Sequence, residues 1–141
     1  MANTDSAQIT AIASASGKTS VTELAGRLRV AYFSVAAVPV VGIADTMTLT
    51  KLPKGAKPLR GVLQFTVAQG ATATTAIGIA GTTGKYMVAA VTNATTEVVF
   101  LTTAATNMGV NTTAEETIIA TNAAATWTAS AFSGYIIYVV D

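Results

Sequence analysis

The chain contains no histidine and no cysteine, and only 11% of its 141 residues are charged. Without histidine a Ser-His-Asp triad cannot be assembled, and without either residue type zinc loses its usual ligands. The missing cysteines also exclude disulfide staples, which leaves the compartment open. Leu, Glu, Lys, Gln and Arg are scarce, so amphipathic helices would lack both their propensity and their polar face. No uninterrupted apolar run reaches about 18 residues, so the hydrophobic 51% of the chain cannot be a membrane helix. Together these absences point away from an enzyme and from a helical membrane protein.

What remains is dominated by small and β-favouring residues. Ala and Thr supply more than a third of the sequence. Thr and Val favour strands, and the length suits one domain. A domain of this size still exposes roughly a third of its unfolded surface. With so apolar a composition, part of that surface is expected to meet other subunits.

Charge is unevenly placed. Up to Arg60 there are seven basic and three acidic residues, a balance of +4, and from Gly61 onward one basic and four acidic residues, a balance of −3. This suits a body with a basic pole and an acidic pole, at a density far below that of a nucleic-acid tract.

Residues 1–20 are small and polar, with Ile9 and Ile12 as isolated apolar anchors and no basic start or apolar stretch of the secretory kind. They are expected to form an extended N-terminal arm, free or lying on a neighbour, ahead of a domain over residues 21–141. Within that domain RLRVAYFSV alternates Leu28, Val30, Tyr32 and Ser34 with Arg29, Ala31, Phe33 and Val35, a strand with apolar contacts on both faces. The segment AAVPVVGIA that follows is broken by Pro39 and Gly42 and reads as a crossover or subunit contact. Asp45–Leu52 alternates with Met47 and Leu49 inward. The connection PKGAKP follows, then a strand over Leu59–Gln69 with Leu63, Phe65 and Val67 on one face.

Five more strands are expected at Thr74–Ala80, Lys85–Val91, Glu97–Thr103, Glu116–Thr121 and Tyr135–Val140, with Gly and Asn near their ends. About eight short strands with no helix between them indicate an all-β, jelly-roll-like antiparallel β-sandwich. The last of them is apolar on both faces: Tyr135, Ile137 and Val139 alternate with Ile136, Tyr138 and Val140. One set is expected in the core and the other against a second subunit, which makes this strand the candidate subunit interface. The alternative is a cover supplied by the chain itself, such as residues 35–44.

Chemical motifs fail on spacing. Lys18 in SGKTS follows Gly17, but a phosphate-binding loop needs glycine at position 12, where Ile12 stands; GTTGKY has Ile79 at the equivalent place and Tyr86 where a magnesium-binding hydroxyl belongs. Glu115 and Glu116 would point to opposite faces of a strand and read as a solvated strand start, not as converging glycosidase carboxylates. No clustered Asp or Asn run resembles an EF-hand loop. Trp127, the single tryptophan, reads as a packing anchor. No metal or cofactor is expected. Lys51, Lys54, Lys57 and Arg60 form the one charge cluster, with no interleaved acid in sequence, and are the candidate docking residues. Without neighbouring aromatics they do not suggest specific nucleic-acid binding.

The segment ADTMTLTKLPKGAKPLRGVLQFTV (residues 44–67), a strand ending in a Leu-Pro-Lys-Gly turn and followed by another strand, resembles a pattern in small virion structural proteins of tailed bacteriophages. ATTAIGIAGTTGKYMVAA and the closing SGYIIYVV fit the same pattern. The resemblance implies a capsid decoration, or cement, protein: a non-enzymatic jelly-roll homotrimer seated on the capsid exterior, bound to the major capsid protein and made in the host bacterial cytoplasm. A receptor-binding, carbohydrate-binding tip of a tail fibre or head fibre is the competing function.

Overall fold

A computed structural model of the protein describes residues 27–36, 42–92, 97–102, 107–128 and 130–140. The expected arm over residues 1–20 and most of AAVPVVGIA lie outside them. Regular structure in the described residues is entirely β: β1 (Arg27–Val35), β2 (Thr46–Leu52), β3 (Ala56–Phe65), β4 (Thr74–Ile79), β5 (Thr82–Val91), β6 (Val98–Phe100), β7 (Glu116–Asn122) and β8 (Phe132–Val140). These form two four-stranded antiparallel sheets, β1-β8-β3-β6 and β2-β7-β4-β5.

The pairing follows a simple rule. First meets last (β1 with β8), second meets seventh, third meets sixth, and fourth meets fifth. That is a single long hairpin, bent at Ala80-Gly81 and rolled so that β3 also joins β8 and β4 also joins β7. Such a rolled hairpin is the jelly roll. The sequence expectation of an eight-stranded sandwich of this kind holds.

Side-chain parity decides the core. Ala31, Phe33, Leu63, Phe65, Phe100, Phe132 and Ile136 from one sheet meet Leu52, Ile77, Tyr86, Met87, Ile118 and Ala120 from the other. Trp127, fully buried, packs edge-on to Phe65 and Phe132 with ring centroids 6.0 and 6.2 Å apart, so it is the anchor the sequence suggested. The large rings need room on a crowded face, and glycine supplies it. Gly134 lies opposite Phe33 and Gly61 opposite Phe100 in register. A Cβ on Gly134 would collide with the Phe33 ring and the Val62 carbonyl, and one on Gly61 with the Phe100 ring.

Several strand limits differ from the expectation, for local reasons. β3 begins at Ala56 and runs through Pro58, which sits at a register shift against β8. On its other flank β6 covers only Gly61 to Leu63, and beside Pro58 the neighbour is Gly109, whose N donates to the Pro58 carbonyl at 2.7 Å, a bond that asks for no N–H from proline. The same strand stops at Phe65. Val67, expected to share a face with Leu63 and Phe65, is exposed, whereas those two are buried. Gln69 turns inward instead, donating through Nε2 to the Val67 carbonyl and to Ser130 Oγ, both at 2.9 Å. β6 shrinks to three residues because Leu101 adopts φ +57°, a left-handed conformation that ends the strand.

Candidate functional site

The two alternating sets of the last strand separate as parity requires. Ile136 is fully buried in the sandwich, and Tyr138 and Val140 pack on the same core. Tyr135, Ile137 and Val139 point to the outer side, where their register partners on β1 are Tyr32, Val30 and Leu28. Leu28, Val30 and Tyr32 are 68%, 60% and 64% exposed. Val62 of β3 lies on the same side but is buried, and its partner on β6, Val99, is partly exposed. The outer face of β1 and β8 is therefore a contiguous apolar surface, more than the scattered single residues of ordinary surfaces, and it is bordered on β3 by Lys57, Arg60 and Gln64. Within the candidate interface strand, Tyr135, Ile137 and Val139 are available to a partner and Ile136, Tyr138 and Val140 serve the fold.

The basic cluster is regrouped by the fold. Pro53-Lys54-Gly55-Ala56 is a β-turn closed by Ala56 N donating to the Pro53 carbonyl at 3.2 Å, and Gly55 takes φ +82°, a conformation that suits glycine. Thr112 clamps it: its hydroxyl donates to the Pro53 carbonyl at 2.6 Å and accepts from Ala56 N at 2.9 Å. Lys54 is thus displayed, exposed, on a rigid turn. Lys51, with no acid near it in sequence, meets Glu115 at 2.9 Å, an exposed pair brought together by the β2–β7 ladder. Exposed pairs of this kind add little stability.

Two further cations join the group. Arg27 and Arg29 on β1 lie in register with Val140 and Tyr138 of β8, which in turn face Ala56 and Pro58 of β3. One end of the molecule therefore gathers Arg27, Arg29, Lys54, Lys57 and Arg60. Contiguous sequence could not reveal this, because the two segments meet only through β8.

Glu116 corrects the sequence reading. Its neighbour Glu115 is solvated, but Glu116 shares the inward parity of Ile118 and Ala120 and is buried. Lys85 Nζ meets its Oε1 at 2.5 Å, and the Tyr86 hydroxyl donates to its Oε2. Burial, then the hydrogen bond to Glu116 and the charge of that carboxylate, raise the Tyr86 phenol pKa far above its usual value. The lysine and tyrosine of the rejected GTTGKY motif are thus structural, tying β5 to β7. Parity was the available signal: a strand residue two before Ile118 faces the same way as Ile118.

Beside β6 a shallow, open groove of about 480 Å³ is lined by Leu59, Arg60, Val99, Leu101, Thr102 and Met108. Leu101 is its strained element. A left-handed conformation at a bulky residue costs on the order of 1–3 kcal/mol and persists only where packing over-determines it; Leu101 is buried.

The described residues thus form an eight-stranded jelly roll with an apolar outer face on β1 and β8 and a basic end. The solved structures similar to it have a common setting. A chain of the capsid asymmetric unit of cyanophage Pam1 aligns over 100% of both chains at 26% identity with a TM-score of 0.70. The capsid of Ralstonia phage GP4 contains a chain 20% identical, TM-score 0.67, matched over 82% of this chain and 86% of that one. The acidic stable capsid structure of Helicobacter pylori bacteriophage KHP30 contains another, 14% identical with a TM-score of 0.59 over 80% and 87%, a likeness of fold. No protein-family model and no curated protein sequence matches the chain. The resemblance to phage virion proteins drawn from residues 44–67 is matched by these structural neighbours.

Proposed function

We propose that this chain is a non-enzymatic capsid decoration protein: a homotrimer bound to the exterior of an assembled phage shell, contacting the major capsid protein and stabilising the lattice. The observation that carries this reading is end-to-end alignment with a chain of the Pam1 capsid asymmetric unit. Two surfaces would divide the work. The apolar outer face, with Val30, Tyr32, Tyr135 and Ile137 at its centre, would pack against a sister subunit. The basic end, with Arg27, Arg29, Lys54, Lys57 and Arg60, would meet acidic shell surface, where complementary charge speeds encounter and sets orientation. Three linked subunits could gain on the order of 10²- to 10⁴-fold in avidity from modest individual contacts.

One feature favours the competing receptor-binding tip. Tyr32 and Tyr135 are cross-strand partners on an exposed face, an arrangement that could stack on a sugar ring. Co-sedimentation with shells lacking this protein, run beside a glycan array, separates the two. Saturable binding to shells without glycan binding is expected; glycan binding without shell binding would replace decoration with the fibre-tip function.

A further inference from the structure

β1 is a free edge. It begins its sheet and pairs only with β8 among the described residues, without a register shift from Arg27 to Val35. Its two side-chain rows differ: Leu28, Val30 and Tyr32 form the exposed outer row, while the inner row opens with Arg27 and Arg29, both exposed, before Ala31 and Phe33 enter the core. Neither arginine pairs with an acid among the described residues. On β2, which lies against β1, Met47 and Leu49 pack on the core yet remain half-buried. A strand that completes this edge carries an aliphatic side chain for Leu28 on its outer row. On its inner row it carries an acid for an arginine and, two residues away, an aliphatic side chain over the half-buried flank. Residues 21–24 of this chain, Val-Thr-Glu-Leu, hold that pattern.

We propose that β1 accepts residues 21–24 of a sister subunit as an added antiparallel strand, with Glu23 beside Arg29, Leu24 beside Leu28, Thr22 beside Val30, and Val21 beside Ala31 on the side of Met47 and Leu49. The inference rests on the proposed homotrimer and names the segment that meets its β1–β8 contact. Main-chain bonds to an exposed edge supply affinity, and the alternating side chains fix the register. The chain's own segment does not reach this register, because Arg27 is held in the ladder opposite Val140. A turn at Ala25-Gly26 would set Glu23 beside Leu28, on the wrong row. A turn over residues 24–26 would use up Leu24 and set Val21 beside Arg29. A second copy is free of that tether. The added acid joins an end that holds Arg27, Arg29, Lys54, Lys57 and Arg60, which therefore stays basic toward the shell.

The chain has no cysteine, so an engineered pair reports alone. Thr22→Cys with Val30→Cys sets two thiols at opposed positions of the added strand, within disulfide reach. The oxidised full-length protein should run as covalently linked trimers on non-reducing gels. In Val21→Cys with Val30→Cys the thiols face opposite sides of the sheet, and the cross-link should be lost. Cross-links confined to single chains would give the edge to the chain's own segment, and none at all in a protein that circular dichroism shows folded would leave it to a different partner; either overturns the proposal. Native mass spectrometry of the reduced protein keeps the two failures apart: a monomer removes the homotrimer and the strand exchange together, whereas an assembled protein without interchain cross-links removes the exchange alone. Charge gives a second reading. Glu23→Arg should weaken the trimer about fivefold on dilution, with the subunits still associated at micromolar concentration, and adding Arg29→Glu should restore it. A swap that restores nothing would overturn the pairing.

Discussion

Glu116 holds a charge where the fold offers little water, and it is stable there because Lys85 and the Tyr86 hydroxyl both point at it. Removing one member of a buried pair strands the other, which typically costs several kcal/mol. Glu116→Ala should therefore lower unfolding stability by about 3 kcal/mol in urea denaturation, whereas Glu115→Ala, at an exposed pair, should cost no more than about 1 kcal/mol. Tyr86 adds a pH signature. Its folded pKa is raised from an ordinary value of 10.0, so its contribution is complete below that value and drains away as pH rises beyond it, because the unfolded chain ionises first. Stability should fall more steeply above about pH 10 in the wild type than in Tyr86→Phe, compared through denaturation midpoints at matched alkaline pH. Equal slopes would mean that the phenol is not the group responsible. Gly134 makes a steric claim on the opposite side of the core. Gly134→Ala should destabilise by at least about 1–3 kcal/mol, the usual range for overpacking, because its new methyl meets the Val62 carbonyl as well as the Phe33 ring.

Among the elements, β8 separates a row facing the core from a row facing outward. Tyr138→Asp puts a charge on the face that packs against the core and should leave the protein unfolded or strongly destabilised. Ile137→Asp alters the outer face and should leave a folded chain that no longer assembles. Native mass spectrometry with circular dichroism checks both; a folded, assembled Ile137→Asp protein would remove the outer face from the interface. The alternation behind this pair was legible in GYIIYVV, as were the number of strands and the jelly-roll class, because period-two patterning and glycine punctuation are local properties. Strand limits were less legible. Whether Pro58 can sit in β3 depends on how far β6 extends along its flank, and where β6 ends depends on the backbone of Leu101, which a hydrophobic pattern does not encode. The inward parity of Glu116 was legible from Ile118, but the lysine and tyrosine that β5 brings to it were not.

Across the whole molecule, the rolled hairpin turns a charge asymmetry along the sequence into one in space. Arg27 and Arg29 come to the end that already holds Lys54, Lys57 and Arg60, while Lys51 is partnered by Glu115. The basic turn was visible in the sequence; its enlargement on one side and the pairing of Lys51 on the other were not, since both arise from ladders between distant segments. Reversing Arg29 and Lys54 to glutamate should slow association with shells and flatten its salt dependence, because exposed charges steer encounter and are screened beyond about 8 Å at physiological ionic strength. Oligomer size and thermal unfolding should change little, as exposed charges contribute about 0–1 kcal/mol each. Unchanged association kinetics at low salt would reduce the basic end to a solubilising surface.

Cryo-electron microscopy of the virion that carries this chain decides between shell and fibre in one measurement. Eight-stranded jelly rolls are expected in groups of three on the outside of the shell, with the β1–β8 faces of sister subunits in contact and the end bearing Arg29 and Lys54 against the capsid lattice. Density for this chain at a fibre tip away from the shell, or as single copies whose β1–β8 face meets solvent, would contradict it.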